Sequence, residues 1–221
     1  MTLASSLTIG QPLKDTVVDI DGNVYHTIKI GTQVWMVENL KVTHYRNGDK
    51  ISNVKNSTQW RKLTTGAYCN YDNDPTNAVT YGRLYNWYAI NDSRRIAPKG
   101  WHVSSDAEWN ILEKYLDNSI DTTYIGWTGT DIGNKLKEAG TSHWFSGNSG
   151  TNSSNFTALP GGYRGSDGKF AGIRSLGYWW TAIVYGVTYT WNRSLGYGSA
   201  TVGKDDDEKA VGFSLRCLKD N

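Results

Sequence analysis

Between Gly161 and Cys217 the chain runs as short glycine–aromatic blocks, and that texture constrains the fold more than any other feature. Gly161-Gly162-Tyr163-Arg164, Gly177-Tyr178-Trp179-Trp180 and Gly212-Phe213-Ser214-Leu215-Arg216-Cys217 frame a stretch of small, aromatic and β-branched side chains. Glycine reaches the backbone angles of tight turns, while Tyr, Trp, Val, Ile and Thr suit a pleated, half-buried surface. The segment is read as short strands and turns. It offers contact area rather than reactivity, and so points to recognition.

Composition supports that reading. The chain has 10 Trp and 14 Tyr against only 4 Phe, so most of its rings carry a polar handle on an apolar body. Formal net charge is +2 in 221 residues, and no Lys/Arg run exceeds two. A phosphate-tracking basic stripe is missing, which argues against nucleic acid as a partner. No apolar run reaches the length of a membrane span. Residues 1–15 open Ser/Thr/Gly-rich, with neither the charged start nor the apolar core of a secretory leader, and are read as a tether.

Residues 16–42 read as a meander. Val17, Val18 and Ile20 lead into the Asp21-Gly22 turn, and Val24, His26, Ile28 and Ile30 follow at period two. Helices are expected over 82–91, over 105–116 and near 131–139. The second starts on a capping box, Ser105 with Glu108, and continues through Trp109, Leu112 and Leu116. Strands first, helices in the middle and strands last predict a single α+β domain over 16–221.

Reactive groups are scattered. His26, His44, His102 and His143 lack metal-ligand spacing, so each is expected to be structural, with His102 buried. Asp72-Asn73-Asp74 has the oxygen density of a cation loop but lacks the following glycine and bidentate glutamate and is read as a polar turn. Asp205-Asp206-Asp207-Glu208, which has the same density, is read as a solvated charged turn. No nucleophile elbow or phosphate loop occurs. Metal, cofactor and catalysis are not expected. Cys69 and Cys217 lie too far apart in sequence for a CxxC site, and are either two buried thiols or one long-range bridge. Trp179 and Trp180, adjacent in a strand, must face opposite sides, and both are expected in the core.

Several ordered blocks resemble the Fibrobacter succinogenes major paralogous domain. They include Asp21-Gly22-Asn23-Val24-Tyr25, Gln33-Val34-Trp35-Met36-Val37-Glu38-Asn39-Leu40, Tyr81-Gly82-Arg83-Leu84-Tyr85-Asn86-Trp87 and Gly100-Trp101-His102-Val103-Ser104-Ser105. Leu159-Pro160-Gly161-Gly162-Tyr163-Arg164 and the later blocks quoted above extend the resemblance to the C-terminus. It implies a C-type-lectin-like fold, with antiparallel sheets that tie the termini together, two or three flanking helices and a late ligand face. It also implies a Cys69–Cys217 disulfide and, with it, an extracellular or cell-surface location, lipid-anchored or on a phage particle.

Residues 182–203 are the expected ligand face. Apart from Trp191, each residue there is reachable from an asparagine codon by changing adenines, which resembles the output of a diversity-generating retroelement. Ile183, Tyr185, Val187, Tyr189, Tyr197 and Ser199 are the expected contacts, with Trp191 and Leu195 as scaffold. Tyrosine gives large area at low entropic cost and serine adapts, as in antibody paratopes. The expected partner is a protein or receptor; a glycan stacked on Trp or Tyr, or a structural module with no specific ligand, are the alternatives.

Overall fold

Residues 12–185 and 189–220 are described in a computed structural model of the chain. Three antiparallel strands open the fold, β1 (Pro12–Val18), β2 (Val24–Ile30) and β3 (Gln33–Met36). Gly22, at φ +82°, makes the first turn, where a β-carbon would be strained. Next come β4 (Ser52–Asn53), the short helix α1 (Ser57–Trp60), β5 (Ala67–Cys69) and α2 (Pro75–Tyr81). Asp74 caps α2 by accepting from the Thr76 amide, with Pro75 at the first helical position. The last residue of the expected polar turn Asp72-Asn73-Asp74 is thus a helix cap.

The helix expected over 82–91 is a correction. Leu84–Tyr85 form a strand, β6, and only Trp87–Ile90 are helical, as α3. Leu84 and Tyr85 pair with Cys69 and Tyr68, so sheet pairing overrides the helical spacing of the apolar residues. Asn86 then caps α3 through its side-chain oxygen, which also accepts from the Ala67 amide.

β7 (Trp101–Val103) leads into α4 (Asp106–Leu116), which begins on the expected capping box and buries Trp109, Leu112 and Leu116. β8 (Gly126–Thr128) and α5 (Ile132–Leu136) follow, α5 stopping where Lys137 turns extended. The late strands are β9 (Gly161–Arg164), β10 (Phe170–Ile173), β11 (Leu176–Tyr185), β12 (Tyr189–Gly196), β13 (Val202–Glu208) and β14 (Cys217–Lys219). The acidic run 205–208 is therefore strand, not turn.

The strands form a five-stranded sheet β1-β2-β3-β14-β7, a six-stranded sheet β10-β9-β11-β12-β13-β8 and a three-stranded sheet β4-β5-β6. This is a single α+β domain. Among the described residues no helix is long and apolar enough to cross a membrane.

Trp179 and Trp180 are fully buried on opposite faces of β11, as expected, and each anchors a separate core. Trp179 packs with Trp35, Trp109 and Phe156 beneath α4; Trp180 packs with Tyr85, Trp87 and Phe213. Buried arginines tie loops to these cores. Arg216 donates to the carbonyls of Met36, Val37 and Phe156 and to Asn39 Oδ1, and its guanidinium lies 4.4 Å from the Phe156 ring. Arg164 donates to the carbonyls of Val54, Lys55 and Gly168 and stacks on Trp60.

The expected disulfide is corrected as well. Cys69 and Cys217 are free, buried thiols. Cys69 sits on the three-stranded sheet against Trp60, Ala67 and Leu84, whereas Cys217 sits on the five-stranded sheet in the Trp180 core. Burial pushes both thiols up to about 12, which suppresses the reactive thiolate. Thiol titration should detect no reactive group in the native protein and two after denaturation without reductant. Zero after denaturation would restore the bridge.

Candidate functional site

The expected ligand face divides in two. Ile183 and Tyr189 are exposed, 44% each, on the two strands of the β11–β12 hairpin near its tip. Tyr185 pairs with Tyr189 through the backbone, but its side chain, like all of Val187, lies outside the described residues. Tyr197 and Ser199 belong to the turn at the far end of β12. Eight residues of extended chain place Tyr189 and Tyr197 about 26 Å apart. One small ligand cannot bridge both ends.

Between those ends the segment is locked rather than free. Thr190, Asn192, Arg193, Ser194 and Leu195 are buried. Leu195 is scaffold as expected, while Trp191 is half-buried with the Lys204 ammonium 5.0 Å from its ring. Arg193 faces α4, where Nε donates to Glu113 at 2.6 Å, Nη1 to Asp106 at 2.8 Å and Nη2 to Asn110 at 2.7 Å. Lys204, its neighbour across the β12–β13 ladder, reaches the same Asp106 at 3.0 Å. At the Tyr197 turn, the Lys137 ammonium donates to the carbonyls of Gly196, Tyr197 and Ser199, and burial lowers it to about 8.

The opposite face of the six-stranded sheet carries a groove that was not legible from the sequence. One cross-strand row runs Tyr178, Ser194, Gly203, Trp127 over β11, β12, β13 and β8. Opposed residues in neighbouring strands share a face, so two rings stand about 14 Å apart with only a hydroxyl and a glycine between them. A β-carbon on Gly203 would meet Ser194 Oγ at 2.2 Å and the Trp127 ring at 3.3 Å, so glycine keeps the floor low. Tyr163 from β9 and Phe213 complete the aromatic wall. Tyr178 stacks on Phe213 with centroids 4.8 Å apart and 8° between planes, and Tyr163 meets Tyr178 edge-on at 5.3 Å. The resulting groove is about 470 Å³, within the range of small-ligand sites.

Carboxylates flank it. Asp205 and Asp207 alternate with Gly203 along β13 and line the groove, with Asp167 at the rim. Burial pushes the Asp207 carboxyl up to about 6, reinforced by Asp205, Asp206 and Glu208, so a proton leaves it only near neutrality. Beneath Asp207 lies Asn192, fully buried, whose Nδ2 donates to Asp207 Oδ2 at 2.9 Å. The sequence signal was present in Gly203 followed by alternate aspartates. Four consecutive acids read as a solvated turn, and that hid the alternation.

A second cavity of about 340 Å³ lies beside β7 and α4, lined by Trp101, His102, Glu108 and Ala182. His102 is half-exposed, not buried, and sits between Glu108 and Asp220 at 2.7 Å each. Those carboxylates raise it to about 9, so it is a cation at neutral pH with both ring nitrogens engaged. That state suits a strut rather than a base. Among the described residues no group of three or more His, Cys, Asp or Glu could hold a metal ion.

No curated protein and no solved structure matches the chain. The motif blocks fall within one match: residues 28–219 match the Fibrobacter succinogenes major domain, and the chain belongs to that family.

Proposed function

We propose that this protein is a non-catalytic glycan-binding module of C-type-lectin-like fold, displayed on a bacterial surface. The observation that carries the reading is the groove floored by Ser194 and Gly203 between the rings of Tyr178 and Trp127. Separated aromatic faces suit the apolar faces of sugar rings, and carboxylates beside them accept from hydroxyl donors. The C-type-lectin-like assignment is supported by β14 lying between β3 and β7, which ties the end of the chain to its beginning. Export is an expectation of the family resemblance, and the free cysteines lend it no support.

Trp127 is the residue to test, since it is 46% exposed on an edge strand and its loss leaves the cores intact. On a glycan array the native protein should bind a discrete set of sugars. Trp127→Ala should weaken that binding tenfold or more, about 1.4 kcal/mol, at an unchanged melting temperature. Undiminished binding by the variant, or an array with no hits, would overturn the groove.

A second reading, recognition of a protein through a diversified 182–203 surface, is favoured by the exposure of Ile183 and Tyr189 at the hairpin tip. Under that reading diversification is confined to the exposed positions, because Arg193 and its neighbours hold the sheet to α4. Receptor binding that falls with Tyr189→Ala and is indifferent to Trp127→Ala would select it.

A further inference from the structure

The groove is lined by carboxylates and hydroxyls, with no Lys or Arg among its lining residues. Asp205 and Asp207 line it, and the lysine of the same strand, Lys204, points to the other face, where it is held by Asp106 and the Thr122 carbonyl. Under the carboxylates, Asn192 Oδ1 is buried and has no hydrogen-bond partner, although the other end of the same amide is fixed on Asp207. Asn192 is closed off from solvent and does not line the groove, so this oxygen is not itself a ligand contact. Tyr178, Tyr163 and Phe213 put π-faces and edges beside the carboxylates. Carboxylates and ring faces share one preference, which is for a positively charged donor.

We propose that the groove takes an amino sugar in its cationic form, the ammonium held by Asp205 and Asp207 and the ring lying against the Trp127–Tyr178 walls. This rests on the glycan reading above and narrows it to one ligand class. A bare metal ion is a poorer match. The two aspartates stand two residues apart on one strand, about 7 Å along the backbone, and among the described residues no third carboxylate, that of Asp167 at the rim included, and no imidazole groups with them as a metal shell. An ammonium on a six-membered ring bridges that spacing and uses the aromatic walls, which a metal ion leaves untouched.

Two probes share one skeleton and differ at C2, where the hexamer of β-1,4-linked glucosamine carries an amine and its fully N-acetylated counterpart a neutral acetamide. Calorimetry at pH 6.5 should show the free-amine hexamer binding at least tenfold more tightly. Asp205→Asn, which alters an exposed carboxylate and leaves the Asn192–Asp207 contact in place, should reduce the ratio several-fold. Adding Asp207→Asn should bring it to within twofold, and Trp127→Ala should weaken both probes together. Equal affinities, or preference for the acetylated hexamer, would overturn this inference while leaving a glycan groove. Calcium chloride alone giving a saturable heat that Asp205→Asn abolishes would also overturn it, in favour of an inorganic cation. Binding of the free-amine hexamer that Trp127→Ala leaves unchanged would place the cation elsewhere and overturn the groove with it.

Discussion

Arg193→Met should lower the unfolding free energy by about 3–5 kcal/mol in urea titrations at pH 7. The guanidinium is 1% exposed and serves Glu113, Asp106 and Asn110 at once, and Glu113 is itself 2% exposed. Removing the cation leaves a carboxylate in the interior with no compensating charge, and that uncompensated charge, more than the lost contact, sets the size of the effect. A double variant, Arg193→Met with Glu113→Leu, removes both charges and fills the space with apolar atoms. It should recover much of the loss. A single-variant change below about 1 kcal/mol, or no recovery in the double, would mean that the pair is solvated. The result also bears on sequence drift in this stretch, since a position this costly to change cannot serve as a freely variable contact.

Trp179→Ala should be of similar size, about 3–5 kcal/mol, and should lower the melting temperature by roughly 6–20 °C for a chain of this length. The ring is fully buried, 6.2 Å from Trp109, and its indole N–H donates to Asn39 Oδ1 at 2.8 Å. That same oxygen accepts from Nε and Nη2 of Arg216. The substitution therefore opens a cavity and removes one of the donors around an oxygen that orients a buried cation. Trp179→Phe keeps most of the volume and loses the donor. Its loss should be smaller, and the difference between the two variants separates packing from hydrogen bonding. Equal losses would show that the Asn39 contact dominates.

What was legible in the sequence was local or periodic. The Asp21-Gly22 hairpin, the Ser105/Glu108 cap and the opposed tryptophans depend on neighbouring residues, and each stands in the structure as expected. What was not legible depends on which strand lies beside which. The spacing of Leu84, Trp87 and Tyr88 fits a helix until Cys69 and Tyr68 claim Leu84 and Tyr85 as strand partners. Ser194, Gly203 and Trp127 are far apart in the chain, and only the register of β12, β13 and β8 aligns them. The contacts expected on 182–203 follow alternation correctly at Ile183 and Tyr189. A strand of eight residues separates them from Tyr197 and Ser199, a span that suits a protein partner and not one small ligand.

The order of the five-stranded sheet has a consequence for biosynthesis. Strands near the beginning of the chain wait for β14, which alone links β3 to β7, so a ribosome must finish residue 219 before that sheet can close. Nascent chains stalled earlier would keep β3 and β7 as unpaired edges, open to pairing between chains. Synthesis of β14, rather than emergence of the strands before it, is thus the event that commits this domain to its final shape.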